Sequence, residues 1–419
     1  MKTVLVLGSG GREHALAWAL SESEAVEQVE VLPGNPRMEA AKISCRRIAA
    51  TDTKAIIERA QEVDAAYVVV GPELPLSLGL VDDLKAAGIL AIGPTQAAAQ
   101  LETSKHFAKQ IMQEAGVPTA KYTYVTDLGE GEAALVGQSY PVVIKDDGLK
   151  AGKGVTIAQN EAEAKEALTA IFAEEDGRAL VEEYLEGPEF SVFTLVGEGD
   201  ALIPLGVAQD HKRAYEGGEG PNTGGMGAFS PIPNFSSEVV ADAYEEVVQP
   251  VVRQMSQAGT PFRGFLYIGL MQTSAGLRVI EFNVRLGDPE TQVVLKQLAT
   301  DLDACLTASL QGEPIETNFQ PGYSLGIVCA AEGYPMAYEK GMPLGDLADT
   351  SQVQVFAAGV KGAPTGGYLA NGGRLYMPVA HADTLAAARA EVLAYLSQQP
   401  TAGCFYRQDI GEEKKPSKS

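Results

Sequence analysis

The sequence predicts a multidomain protein of mixed α/β and α+β class: an N-terminal parallel α/β domain, a central α+β domain and a mainly β C-terminal domain. Three observations carry this. Short apolar runs alternate with helical patterns up to residue 103, helices and hairpin-like strands mix after Thr103, and the stretch beyond Gln320-Pro321-Gly322 is rich in strands. At 419 residues with 45% hydrophobic content the chain can bury large cores, and its length suggests about two to four domains.

The N-terminal domain opens with the run Thr3 to Leu7, then "GSGGREH" and the helical pattern Ala15 to Leu20, which reads strand, glycine turn, helix. Val26 to Leu32, Ala66 to Val70 and Ile89 to Ile92 are further β-branched runs, separated by helical stretches at Asp52 to Gln61 and Leu76 to Ala87. The expected domain is 1–103. The central domain, 104–312, begins with a helix over 104–115. It includes a smaller lid subdomain at about 120–190, with a strand at 141–145, a helix at 161–174 and strands near 178–184 and 190–196. The Gly/Pro-rich piece at 216–233 has too little apolar content for a core element and reads as a long surface loop. A helix at 236–258, a hairpin at 264–282 and a helix from Thr291 to Leu310 follow. The last domain, 313–419, is mainly β, with a helix at 383–397 and a charged tail expected to be disordered.

Composition narrows the function. A net charge of −23 disfavours a nucleic-acid surface, so any anionic ligand needs a local basic pocket. Four scattered cysteines without a C-x-x-C pair indicate neither a zinc site nor a disulfide framework. No apolar run reaches membrane-spanning length and the N-terminus lacks a signal-like apolar region, so a cytoplasmic protein without a membrane partner is expected, acting as a monomer.

Four stretches carry chemistry. In "GSGGREH" (8–14), glycines after a first strand invite a dinucleotide reading, but Glu13 stands where a third glycine should be and the second strand ends in Leu32-Pro33-Gly34 rather than an acid. A structural turn is the plain alternative; Arg12 and His14 beside open amides favour a sugar phosphate. Lys105, Lys145, Lys150 and Lys153 are each a solvated surface charge by default. Gly148, Gly152 and Gly154 around Lys153, however, make a loop able to close over a nucleotide, although "KDDGLKAGKGV" (145–155) does not match a Walker A loop. "ALVEEYLEGPEFSVF" (179–193) is either a hairpin with solvated glutamates or a site pairing an adenine edge along Glu183 to Leu185, with Glu189 accepting ribose hydroxyls. In "VIEFNVRLGDPETQ" (279–292), Glu281 and Asn283 are i and i+2 on a strand and share a face with Arg285. They offer hard oxygens suited to Mg²⁺, or form a solvated sheet face.

In this order the stretches resemble the ATP-grasp ligases. "GSGGREHALAW", "PGN", "VGPE", "KDDGLKAGKGV", "QDHKR", "GPNTGGMGAFSP" and "EFNVRLGDPETQ" are similar to the glycinamide ribonucleotide synthetase family, from residue 1 to about 410. The resemblance implies a central ATP-grasp fold and a ligase that joins glycine to 5-phosphoribosylamine. ATP is consumed through a glycyl phosphate, with Mg²⁺ or Mn²⁺ as cofactor, in the second step of purine synthesis. It places Lys105, Lys145 and Lys153 on the ATP phosphates, Glu182 and the Leu185 backbone at adenine, Glu189 at ribose, and Glu281 and Asn283 at the metal. Arg285 falls on an anion, either the glycine carboxylate or the phosphoryl group in flight. Gly10, Gly11, Arg12, Asp210, Asn222, Gly225, Asp288 and Glu290 fall around the acceptor sugar and glycine, with Asp210 or phosphate as general base. Arg285, Lys153 and Asp210 are the expected catalytic residues, and "NGGR" (371–374) is a candidate cap for the adenine pocket.

Departures remain. Leu266 to Met271 lacks the second acidic metal ligand of many ATP-grasp enzymes, and Asp146 and Lys150 replace two alanines usual in the lid loop. An ATP-grasp enzyme with another carboxylate, an NAD-dependent oxidoreductase and a non-catalytic nucleotide-binding regulator are the competing readings.

Overall fold

The computed structural model describes residues 2–149, 154–233, 235–400 and 402–412. Lys2–Gly8 is the centre of a five-stranded parallel sheet in the order Ile43–Cys45, Val26–Pro33, Lys2–Gly8, Val68–Val70, Ala91–Ile92. Val4 to Leu7 are wholly buried, as expected where crossover helices such as Gly11–Ser21 and Thr53–Glu62 cover both faces. Strand order reverses between Lys2–Gly8 and Val68–Val70, so the crevice beyond their C-terminal ends is the place for a ligand. The helix expected over Leu76 to Ala87 is two, Glu73–Ser77 and Leu80–Ala86, because Gly79 between them is left-handed (φ 87°).

After the helix Lys105–Ala115, a small four-stranded antiparallel sheet forms in the order Tyr122–Val125, Ala179–Glu183, Val142–Asp146, Val155–Ala158. Helices Leu128–Ala134 and Glu161–Phe172 cover it, over a separate core that includes Val142, Ile144, Leu168 and Val181. This is the stretch expected to act as a lid.

The third unit is a ten-stranded sheet. It runs from Gly276–Asn283 at one edge through Gly264–Thr273, Glu189–Val196, Leu202–Asp210 and Gly227–Ser230 to Tyr323–Ile327 and Arg374–Ala382. Central and C-terminal segments therefore share one sheet, which crosses residues 312 and 313 through the pairs Gly227↔Ile327 to Ser230↔Ser324.

Two expectations fail here. The stretch 216–233 is not a surface loop throughout: Glu219–Asn222 pairs with Arg213–Tyr215, and Gly227–Ser230 is a buried strand inside the large sheet. Its small residues answer a packing need, since a Cβ on Gly227 (φ 152°) would lie 2.5 Å from the Gly326 carbonyl oxygen. The helix expected from Thr291 to Leu310 breaks into Glu290–Gln297 and Leu302–Gln311. Between them the amides of Ala299 and Thr300 donate to the Asn318 carbonyl, and Asp301 caps the second helix. The charged tail lies outside the described residues from 413 onward.

The first helix is also stapled to the C-terminal segment. His14 turns away from the crevice: its Nδ1 accepts the Ala357 amide at 2.9 Å, and its ring meets Phe356 edge-on at 5.5 Å. It therefore serves packing and not sugar phosphate, contrary to the sequence reading. Burial, helped by Arg37, lowers its pKa from 6.5 to about 3. A base whose folded value is depressed contributes stability that is complete above pH 6.5 and is lost as pH falls towards 3. Denaturant titrations should show this: His14→Gln is expected to lose stability at pH 7.5 but to have a shallower decline between pH 6 and 4, by up to about 1.4 kcal/mol per pH unit.

Candidate active site

The glycine turn after the first strand is filled from beneath by Glu13. Its carboxylate accepts the Gly10 amide at 2.7 Å and the Arg12 Nε at 2.6 Å. A Cβ on Gly8 would come within 2.5 Å of Glu13 Cγ, and one on Gly71 within 2.3 Å of Glu13 Oε1. The residue that breaks the dinucleotide fingerprint is thus the one around which two strand ends are shaped. Arg12, nearly buried, donates from Nη1 to the Leu286 carbonyl at 3.1 Å, and its amide donates to Asp288 Oδ2 at 3.4 Å. A Cβ on Gly11 would strike Gln292 Nε2, so Gly10 and Gly11 sit against the "GDPETQ" segment.

A cleft of about 580 Å³ runs from this turn along the edge of the large sheet to the small sheet, with a smaller chamber of about 110 Å³ beside it. Lys105, Lys145, Glu182, Glu281, Asn283 and Arg285 all line these spaces. Lys145 and Glu182 are diagonal neighbours on one face of the small sheet, since Val143 lies opposite Glu182. They form a buried ion pair at 3.0 Å, and Lys109 approaches the other oxygen of Glu182 at 3.1 Å. Lys105 donates through Nζ to the Gly148 carbonyl at 2.9 Å, while its amide donates to Asp147 at 2.6 Å, tying the helix start to the base of the lid loop. Leu185 and Glu189 face the larger space, and Lys212 bridges Glu189 and Glu281, the latter at 3.7 Å. Lys150, Gly152 and Lys153 lie outside the described residues, and with them the predicted tip of the loop.

Glu281 and Asn283 project from the strand Gly276–Asn283, and both open on the cleft. Burial pushes the Glu281 carboxyl up, but Lys212, Lys145, Arg285 and Lys105 reverse this and hold it below its ordinary range. An ionised carboxylate and an amide oxygen on one strand face suit a divalent cation that takes its remaining ligands from phosphate and water. Gly269 pairs with Glu281 in register, so no acid stands across from it. Among the described residues no group of three or more His, Cys, Asp or Glu side chains could hold a metal by itself. Arg285, expected on an anion, is clasped by two acids of the N-terminal domain, Glu102 at 3.1 Å and Glu73 at 3.4 Å.

The far wall is built from Asp210, Asn222, Asp288, Glu290 and Arg374. Burial raises Asp210 to about 6 and Glu290 to about 8, each acid further raised by charge: Asp210 by Glu189 and Glu281, Glu290 by Asp210. Lys212 opposes both rises. Asp288 is likewise disfavoured by burial but ends below its ordinary range because Arg374 and Arg12 flank it. Arg374 of "NGGR" donates to the carbonyls of Gly224 and Asp288, at 2.8 and 2.5 Å, so it clamps the "NTGGMG" turn to "GDPE" and does not cap residues 182–185. Gly225 (φ 114°) lies where a Cβ would meet Pro289 at 2.3 Å.

Three family models match the chain consecutively. They are described as phosphoribosylglycinamide synthetase N domain (residues 2–102), ATP-grasp (A) domain (103–291) and C domain (324–413). The chain belongs to the phosphoribosylglycinamide synthetase family. Relatives named phosphoribosylamine–glycine ligase agree: one from Listeria innocua serovar 6a is 45% identical over 97% of this chain and 99% of its own length. Another from Streptococcus pyogenes serotype M18 is 43% identical over 98% and 99%. The crystal structure of the Thermotoga maritima phosphoribosylamine–glycine ligase superposes with a TM-score of 0.83 at 29% identity, covering 97% of this chain and 99% of that one. A Campylobacter jejuni biotin carboxylase (0.76, 17% identity, 98% and 94% covered) shares the fold alone. The fold is therefore ATP-grasp at its centre, as the resemblance implied.

Sequence reasoning missed Lys109, Glu102, Glu73, Lys212 as an ion-pair bridge, and Arg374 as a clamp. Lys109 was findable as the residue one turn after Lys105 on the same helical face; the pairing of Arg285 with Glu73 and Glu102 spans 183 residues or more and has no local signal. Glu102 also accepts the Val284 amide at 2.8 Å. Glu102→Gln should therefore cost about 1–3 kcal/mol by leaving Arg285 with one acid, seen as a melting temperature several degrees lower.

Proposed function

We infer that the protein is an ATP-dependent ligase that joins glycine to 5-phosphoribosylamine, giving glycinamide ribonucleotide, ADP and phosphate, the second step of purine biosynthesis. The observation that carries this is the match of all three family domains in order, over a chain whose cleft unites the motifs of each. A carboxylate acylates poorly because its oxygen leaves badly. Phosphorylating glycine to a glycyl phosphate makes that oxygen a competent leaving group, and the amine of the sugar then attacks.

Each wall of the cleft suits one part of this. Lys105 and Lys145, with Lys153 from the loop, would neutralise the phosphates. Glu182, the Leu185 backbone and Glu189 would face the nucleoside. Glu281 and Asn283 would hold Mg²⁺, or Mn²⁺ in its place, which when bound supplies charge neutralisation between the phosphates. Arg285, held at the cleft by its two acids, would receive a second anion, the glycine carboxylate or the transferred phosphoryl group. Gly10, Gly11, Arg12, Asn222, Gly225, Asp288 and Glu290 would enclose the sugar and glycine, and Asp210, with a value near 6, is ionised at neutral pH and fit to accept the amine proton. A monomer is proposed as the working unit, with functional domains at 1–103, 104–312 and 313–419. The four cysteines are free thiols, and no helix among the described residues is long and apolar enough to cross a membrane; both suit the cytoplasm as the place of action.

The test is release of ADP with glycine, 5-phosphoribosylamine and Mg-ATP, each omitted in turn. Turnover should need all three, and ATP consumption indifferent to glycine would sink the assignment. Glu281→Ala should lower kcat by about a thousandfold or more; full activity at saturating Mg²⁺ would remove it from the metal site.

A further inference from the structure

Lys109 is used neither by the motifs nor by the mechanism above, yet it is only 3% exposed and lies at the wall of the smaller chamber. Its Nζ is 3.1 Å from Glu182 Oε1, donates to Thr119 Oγ1 at 2.9 Å and to the Ala120 carbonyl at 3.3 Å, and stands 5.1 Å from the centre of the Tyr122 ring. Of its three ammonium hydrogens two go to Thr119 and Ala120, while Glu182 Oε1 is held by charge and accepts no hydrogen bond, so Lys109 is committed to its protein neighbours. Lys145 differs. Its Nζ is 3.0 Å from Glu182 Oε2 and 3.0 Å from the Ile280 carbonyl oxygen, leaving one hydrogen without an acceptor among the described residues, on a side chain that borders both spaces.

Glu182 is therefore divided between two lysines, one oxygen each, and the three groups together keep one positive charge. We propose that Lys109 is a positioning residue that holds Glu182 away from full engagement with Lys145, so that Lys145 keeps charge for the ATP phosphates. This rests on the reading of Lys145 as a phosphate ligand. Without Lys109, Glu182 would face Lys145 alone, the remaining pair would be neutral, and its attraction for a polyphosphate would weaken.

The experiment compares Michaelis constants for ATP and for glycine, with melting temperatures, in Lys109→Met, Lys109→Arg, Lys145→Met, Glu182→Gln and the double variant K109M/E182Q. Lys109→Met should raise the ATP constant about tenfold while leaving that for glycine within about twofold. Lys109→Arg should stay close to the parent. K109M/E182Q is compared with Glu182→Gln alone: with a neutral amide no longer competing for Lys145, removing Lys109 should change the ATP constant by less than about threefold. An unaltered ATP constant in Lys109→Met, or a loss of about tenfold that persists in the double variant relative to Glu182→Gln, overturns the proposal. Lys145→Met separates the two ideas: if its ATP constant does not change, Lys145 is not a phosphate ligand and the failure belongs to that reading. Should Lys109→Met not fold, Lys109→Gln, neutral but still a hydrogen-bond donor, takes its place under the same criteria.

Discussion

Buried and half-buried bases held against acids line the cleft. An acidic chain has to gather lysines and arginines around an anionic ligand, and each must remain charged where water is scarce. Lys145 and Lys109 share Glu182, Arg285 lies between Glu73 and Glu102, Lys212 spans Glu189 and Glu281, and Asp288 sits between Arg12 and Arg374. The six bases and six acids of these pairs cancel, so the paired groups are neutral together in a molecule of net charge −23, and an anion in the cleft meets lysines such as Lys105 and Lys145 that border its spaces.

The same pairs knit the three segments. Glu73 and Glu102 come from the N-terminal domain and reach the strand end at Arg285. Arg374 arrives from the C-terminal segment to bind the turn at Gly224 and the start of the helix Glu290–Gln297. Asn35 of "PGN" donates to the carbonyls of Ser9 and Ala357, and His14 accepts from the Ala357 amide, so the glycine turn is fixed from both sides. Since the large sheet continues from Gly227–Ser230 onto Tyr323–Ile327, the acceptor wall is anchored in a continuous backbone ladder. The small sheet bearing Lys145 and Glu182 has its own core and meets the rest through residues such as Asp147 and Lys145, which is the arrangement a closing lid needs.

Much of this was legible in the amino acids. Alternating runs marked the parallel sheet, the spacing of Glu281 and Asn283 placed two oxygen donors on one strand face, and glycines marked the loops. The reading of 216–233 as a surface loop fails because low apolar content does not by itself mean exposure. There glycine serves close contact between backbones, as at Gly227 against Gly326. The helix expected from Thr291 to Leu310 failed because its interruption is imposed by Asn318, a residue beyond its own pattern. His14 looked functional near Arg12, but two residues on along the helix its ring is turned towards Phe356.

What the sequence by itself determined is the supply of chemistry: the lysines, the acid and amide for a metal, the glycine turns, and the order of the elements bearing them. These follow from local periodicity and residue type. Which base keeps a free charge and which is spent on a neighbour was decided only by tertiary structure, because the partners lie far apart in the chain: Glu182 for Lys109, Glu73 and Glu102 for Arg285, Asp288 for Arg374. Burial sets the cost of each charge, and the fold alone brings together the groups that offset it.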